Sequence, residues 1–432
     1  KNQRFQIIYH NQRQSTMRYD TIIIGGGLSG LTAGITLASA GKRVCIVSAG
    51  QSSLHFNSGS FDLLGYDNNG KVVEHPLEAI ASLNNQHPYK KIGTEKIALL
   101  ANKAKALLNE AGVKTIGDST QNHYRFTPLG TTKPAWLTTE GYAISQQKDS
   151  LPWKSVELLN IQGFLDFPTA FIAANLKKSG VTCQVKSFTT EELSHVRKNP
   201  TEMRATNIAK VLSDKVALHK VADRINAISG DAEVLLLPAV LGFSNNESLN
   251  ELKTMVKKPI EYLATLPPSV SGVRTTHLLK QHFTRLGGTI LVGDTANSDI
   301  FEGNRLISIT TENLPNETLY ADNFILASGS FMSHGLQSNY QHVFEPVFNL
   351  DVDAAEARSE WTKEDAFDAQ PYMEYGVQTD KDFHAIKDGK TISNLFVIGS
   401  LLSGHNNIKR ADGTGVSLLT ALQVAETIKE RK

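Results

Sequence analysis

The residues whose types and spacing could do chemistry are glycines and small hydroxyl residues, gathered in a few turns. Gly25, Gly27 and Gly30 match G-x-G-x-x-G. In such a turn the first glycine permits a sharp bend and the second lets backbone approach a phosphate. The third lets the following helix pack closely on the strand. The helix start at Ser29 would offer unpaired N–H groups and a positive dipole end to an anion. The expected chemistry is therefore nucleotide-phosphate binding, with a plain structural turn as the alternative. A dinucleotide site usually also carries Asp or Glu at the end of the second strand, for ribose hydroxyls. Ser48 stands there instead.

Three further stretches share this character. Gly50 to Ser60 holds Ser52, Ser53, Ser58, Gly59 and Ser60, and is either an ordinary surface loop or one that wraps a cofactor. Asn323 to Gly329 ends in Ala327-Ser-Gly329, small residues where the chain must pass close to something; a tight turn is the alternative. Asn394 to Gly399 reads as a strand ending in glycine. It is followed by Gly404 and by Gly413-Thr414-Gly415 at the start of a helix, a second anion or dipole site.

The elements that must position these turns follow from pattern. Ile22–Ile24 is a short apolar run with β preference, and a helix follows to about Ala40. Gly41 stops it, and Val44 to Val47 is the second strand. Thr94 to Ala111 is an amphipathic helix with Ile97, Ala101, Ala104, Leu108 and Ala111 on one face. Residues 150–268 read as an insertion, with helices over Phe167–Lys178, Thr201–Asp214 and Asn250–Thr265 and a strand at Val181–Val185. Pro267-Pro268 marks its end. A helix over Thr275–Leu286 and strands at Thr289–Val292, Leu306–Thr310 and Leu319–Leu326 come next. Residues 331–390 read as a second insertion, and Val416 to Lys429 as the last helix. The expected class is α/β: a Rossmann-like parallel sheet with helices, interrupted by α+β cap insertions. Its segments are 17–149, 150–268, 269–330, 331–390 and 391–432, with 1–16 a disordered extension before a natural start at Met17.

Composition narrows the function. Lys plus Arg number 44 and Asp plus Glu 43, a net charge of +1 that points to no nucleic-acid partner. The two cysteines, Cys45 and Cys183, cannot ligate a zinc ion or an iron–sulfur cluster by themselves, so no metal is expected. So few cysteines suit a reducing cytoplasm. The uncharged stretch from Thr21 to Gly41 is too rich in glycine, and too strand-like in its first half, for a membrane span.

The order of these motifs resembles the two-domain flavoproteins of the glutathione-reductase-like class. More narrowly, MRYDTIIIGGGLSGL (17–31), GQSSLHFNSGSFDLL (50–64) and NLFVIGSLLSGHNNIKRADGTGVSLLTAL (394–422) resemble the B-subunit family of anaerobic glycerol-3-phosphate dehydrogenase. The resemblance spans the chain from Met17. It implies a flavin-binding fold and a respiratory enzyme oxidising sn-glycerol 3-phosphate to dihydroxyacetone phosphate. Electrons would pass to quinone and on to fumarate or nitrate. It implies a catalytic pair with the A-subunit of that enzyme and attachment to the inner membrane through its iron–sulfur C-subunit. FMN is the cofactor expected from the family and from Ser48, since FMN has no adenosine ribose; FAD held in another way is the alternative.

Flavin oxidation of an alcohol needs a hydride path, a base and cations for the phosphate. His405 and His55 are the candidate bases. Arg410, with Lys409, is the candidate phosphate or flavin partner, and Arg274 a weaker one. A protein that only relays electrons needs no base, and a self-sufficient oxidoreductase on another metabolite or a flavin-free scaffold would keep the same fold.

Overall fold

The computed structural model describes residues 16–148 and 150–431. The expectation for residues 1–16 therefore falls, apart from Thr16, outside the described residues. Strand β1 (Thr16–Ile24) runs into helix α1 (Leu28–Ser39), and β2 (Val44–Ser48) follows. Helix α2 (Thr94–Glu110) comes later, burying Ile97, Leu100, Ala101, Ala104 and Leu108 at helical spacing. The chain then builds a separate layer from β3 (Ser155–Ile161), β4 (Thr182–Phe188), β5 (Val234–Pro238) and β6 (Ile260–Leu263). Helix α3 (Val270–Arg285) leads back to β7 (Thr289–Val292), β8 (Ala296–Glu302), β9 (Arg305–Thr311) and β10 (Thr318–Leu326). Strand β11 (Lys390–Val397) and helix α4 (Gly413–Glu430) complete the fold.

The main sheet has a parallel core in the order β7-β2-β1-β10-β11. Strands β8 and β9 add an antiparallel edge. Long-range register sets this order, with Ile24 opposite Leu326 and Leu326 opposite Val397. Ile22, Ile23, Phe324, Ile325, Phe396 and Val397 are fully buried, as continuous apolar runs in parallel sheets require. Helix α1 packs against α3 and α4. Gly34 makes that approach close: a β-carbon there would lie 3.0 Å from Ile46 Cδ1 and 3.0 Å from Phe283 Cε2.

The inserted layer has its own sheet, in the order β4-β3-β5-β6 and parallel throughout, over a second apolar cluster that includes Leu158, Ile225, Leu235 and Leu236. Its crossovers are helical, so this sheet is α/β in its own right. Among the insertions, short antiparallel pairs occur in residues 331–390. Two helices differ from the reading of the sequence. The expected helix over Asn250–Thr265 ends at Met255, and Ile260–Leu263 is a strand. Pro259 separates them and disfavours helical backbone at Lys258. The helix expected over Thr201–Asp214 is shorter, Ala205–Val211, because Asp214 caps a separate helix over Lys215–Ile228 by accepting from the Ala217 N–H at 2.9 Å.

Candidate functional site

A cleft of about 650 Å³ opens at the carboxyl ends of β1, β2, β7 and β10, the edge where open α/β sheets bind ligands. The glycine turn forms its centre. Gly25 takes φ +120°, and a β-carbon there would fall 2.1 Å from the Ala327 carbonyl oxygen, so only glycine lets β1 and β10 hand over side by side. Gly27 is the N-cap of α1, and no side chain caps the helix, so its first N–H groups face the cleft. The N-terminus of α4 reaches the cleft from the other side through Gly413 and Thr414. Two helix dipoles thus direct their positive ends at one cavity.

Of the residues singled out in the sequence, Gly25, Gly27, Ser29, Ser48, Ser52, Ser53, Ala327, Gly329, Gly413 and Thr414 lie along this cleft. The others stand behind it, packing protein on protein. Gly30 lies under the turn, where a β-carbon would meet the Gly25 carbonyl oxygen at 1.9 Å. Gly399 abuts Ser29, Gly404 the Gln86 backbone, and Gly415 the Tyr89 hydroxyl. Gly59 packs on Tyr142 and Ser271. Ser60 pairs with Thr138 in a small sheet, and the Ser58 hydroxyl accepts from Arg125.

The proposed catalytic residues do not meet at the cleft. His405 is buried behind α4, its Nδ1 3.3 Å from Asp412 Oδ1. His87 Nε2 holds the other oxygen of Asp412 at 3.0 Å. Burial pushes the Asp412 carboxyl up, but the two histidines outweigh it and hold the group below the ordinary carboxylate range. Burial in turn lowers the His87 pKa, against the pull of Asp412. His405 therefore anchors the loop before α4. His55 Nδ1 lies 3.3 Å from the Ser52 carbonyl oxygen, one layer back from the cavity. Arg410 pairs with Glu374 at 3.0 Å and donates to Asn68. Lys409 donates to the Phe367 carbonyl, and Arg274 is buried against the Leu241 and Gly242 carbonyls.

The cleft holds charged residues that no local motif marks. Asp62 lines it next to α4, with its main chain clamped: its N–H donates to Thr414 Oγ1 at 2.6 Å, and its carbonyl accepts from the Gly415 N–H at 2.8 Å. Burial raises the Asp62 carboxyl pKa, and the charges of Arg125 and Lys133 oppose that rise. At the other end Asp294 follows β7 and donates its N–H to the Ser48 carbonyl at 3.2 Å. Its carboxylate accepts from Thr311 Oγ1 at 2.6 Å and from the Asn313 N–H at 3.0 Å. The Thr295 N–H also donates to it at 2.9 Å, so an acidic residue held by the protein stands next to Ser48, just past the neighbouring strand. Ser48 is small because it lies beneath Gly26, where a β-carbon would come within 2.5 Å of its hydroxyl.

Orphaned polar atoms test whether a cofactor suits the cleft. Ser52 Oγ, Ser328 Oγ and Asp62 Oδ1 are buried, without a protein partner, and all three residues line the cavity. Such groups need partners. With two uncapped helix starts they match a ligand carrying phosphates and polar ring edges.

The family model described as an FAD binding domain matches residues 20–416. Curated relatives match over nearly their whole lengths. The B-subunit of anaerobic glycerol-3-phosphate dehydrogenase from Yersinia enterocolitica is 41% identical over 95% of this chain and 98% of its own. The protein of the same name from Pectobacterium carotovorum is 40% identical over 95% and 99%. Among solved structures, quinol fumarate reductase from E. coli aligns over 96% of this chain and 71% of its own, at 10% identity and a TM-score of 0.43. L-proline dehydrogenase from P. horikoshii aligns over 96% and 94%, at 11% identity and a TM-score of 0.34.

Proposed function

The chain belongs to the B-subunit family of anaerobic glycerol-3-phosphate dehydrogenase, a family of flavin-dependent dehydrogenase subunits, and we propose that it binds FAD and takes part in oxidising sn-glycerol 3-phosphate to dihydroxyacetone phosphate. The observation that carries the cofactor reading is the extent of the cleft. It runs from the glycine turn in both directions, to Asp294 and Thr295 beyond β2 on one side and to Gly413 and Thr414 on the other. FMN would occupy the turn and one arm. FAD would use both: the α1 N-terminus would hold its pyrophosphate, and the ends of β2 and β7 its adenosine. FAD thus replaces the expected FMN as the favoured cofactor, and Ser48 is no obstacle to it.

A bound flavin would supply the acceptor for the hydride of the alcohol carbon. The chain's own residues do the rest. The α4 N-terminus favours negative charge at the cofactor's end of the cleft. Asp62 is the proposed acceptor of the alcohol proton. It lines the cavity, its Oδ1 has no partner, and burial raises its affinity for a proton. Electrons then leave through partner proteins to quinone, with fumarate or nitrate as the final acceptors. The A-subunit of the enzyme would complete the catalytic pair, and its iron–sulfur C-subunit would tie the pair to the cytoplasmic face of the inner membrane. Among the described residues no helix is long and apolar enough to cross a membrane.

Mass spectrometry of the ligand released from purified protein tests the cofactor. FAD is the expected result, and FMN would overturn the two-armed reading. For the reaction, the assembled complex should reduce a dye with sn-glycerol 3-phosphate, and Asp62→Asn should lower turnover while leaving flavin content intact. Full turnover in that variant would remove Asp62 as proton acceptor.

A further inference from the structure

Beside the α4 end of the cleft lies a small antiparallel sheet of His123–Phe126, Thr132–Ala135 and Ile144–Ser145. Its register sets Arg125 directly opposite Lys133. Residues directly opposite in an antiparallel pair share a face, and like charges placed so are destabilising. Among the described residues neither cation has a carboxylate within ion-pair distance. Arg125 Nη1 donates to Ser58 Oγ at 3.2 Å, on the side of the 50–60 loop away from the cleft, and its Nε is buried without a partner.

The pair stands beside the cleft, outside its lining, and its surroundings connect the two. The charges of both cations act on Asp62, which lines the cavity. Gly65 brings the two sides together: a β-carbon there would lie 3.1 Å from Pro134 Cγ and 2.9 Å from Ala411 Cβ. The strand carrying Lys133 thus abuts the loop that enters α4. Asp62 alone cannot balance the pair, since one carboxylate faces two cations. The neighbouring Arg410 already pairs with Glu374.

We propose that Arg125 and Lys133 form an anion subsite beside the α4 end of the cleft, taking the phosphate group of a small phosphorylated alcohol. A phosphate dianion matches the charge of the pair. The planar guanidinium provides directed donors and the lysine a movable one. The subsite deepens the function proposed above and rests on its reading of the cleft. It gives this chain a substrate end of its own, which a protein that only relays electrons would not need.

The test is thermal unfolding of the full-length, flavin-loaded protein at matched ionic strength, with sn-glycerol 3-phosphate, inorganic phosphate or glycerol. The bound flavin fills the glycine turn, so phosphate cannot act there. The two phosphates should raise the midpoint and glycerol should not. Lys133→Gln and Arg125→Gln should leave the ligand-free midpoint unchanged or raise it, because the repulsion is relieved. They should weaken the apparent phosphate affinity about tenfold or more. Wild-type protein blind to both phosphates would overturn the proposal. So would variants that keep the full shift, or a lower ligand-free midpoint in both variants, which would mark the pair as structural. The flavin absorbance of the same samples separates the two readings: protein without flavin counts against the cofactor assignment, while loss of the phosphate shift in the two variants still decides the subsite.

Discussion

The chain contains two strand–glycine–helix units, one around Gly25 and one around Gly413, and they use their glycines for different ends. In the N-terminal unit Gly25 and Gly27 line the cavity, while Gly30 and Gly34 serve the packing behind it. In the C-terminal unit Gly413 faces the cavity, while Gly399, Gly404 and Gly415 let other parts of the protein come close. Capping differs as well. Gly27 has no side chain to cap α1, whereas the Asp412 carboxylate before α4 is diverted to His87 and His405. One unit is built around a ligand. The other is tied down by the protein and brings a single turn of helix to the ligand.

The comparison can be broken by substitution. Gly25→Ala should have the largest effect, because its methyl group would overlap the Ala327 carbonyl at a backbone angle alanine avoids. Purified protein should lose its flavin, and the denaturant midpoint should report a loss beyond about 3 kcal/mol. Gly415→Ala should cost about 1–3 kcal/mol through overlap with the Tyr89 hydroxyl, yet the folded fraction should keep its flavin. Adding Tyr89→Phe should recover part of that loss, so the double variant is more stable than the sum of the single changes. If Gly415→Ala empties the cleft as Gly25→Ala does, the two units are equivalent and the distinction fails.

Smaller changes sharpen it. Asp412→Asn leaves one histidine N–H without its acceptor and should cost about 1–2 kcal/mol at pH 7. The Asp412 pKa is lower folded than unfolded, so its contribution is present above the unfolded value and is lost as pH falls through the folded one. The share of the gap between wild type and variant that comes from Asp412 ionisation should therefore persist down to about pH 4 and close below it, as urea titrations at several pH values would read. Ser52→Ala should change stability by less than about 0.5 kcal/mol. It should weaken flavin binding about fivefold if its orphaned hydroxyl faces the cofactor.

What could be read in advance was local. The glycine turn, the first two strands and the first and last helices follow from spacing within a few residues, and the fold contains all of them. The strand at Ile260–Leu263 was hidden because the apolar spacing of a short run fits a helix nearly as well, with Pro259 the signal against it. The histidines stood out because they sat in glycine-rich loops, but loop position in a sequence does not say which way a ring faces. Asp62, Asp294 and the Arg125–Lys133 pair were illegible for the opposite reason. Each gains its place from a partner far along the chain: Asp62 from Thr414, Asp294 from Ser48, and Arg125 from Ser58. A pattern of neighbours cannot carry that information.

The clamp on Asp62 also sets a timetable. Its partner Thr414 lies 352 positions further along the chain, and β1 finds its partner β10 only after the inserted layer has been made. A chain emerging from the ribosome therefore displays the glycine turn long before the walls of the cleft exist. At about 5–20 residues per second the interval is on the order of tens of seconds. Throughout it the apolar edges of β1 and β2 need shelter, and the inserted layer, with a core of its own, can fold while they wait. The cleft is thus among the last parts of the molecule to be completed, since its α4 wall is made at the end of the chain.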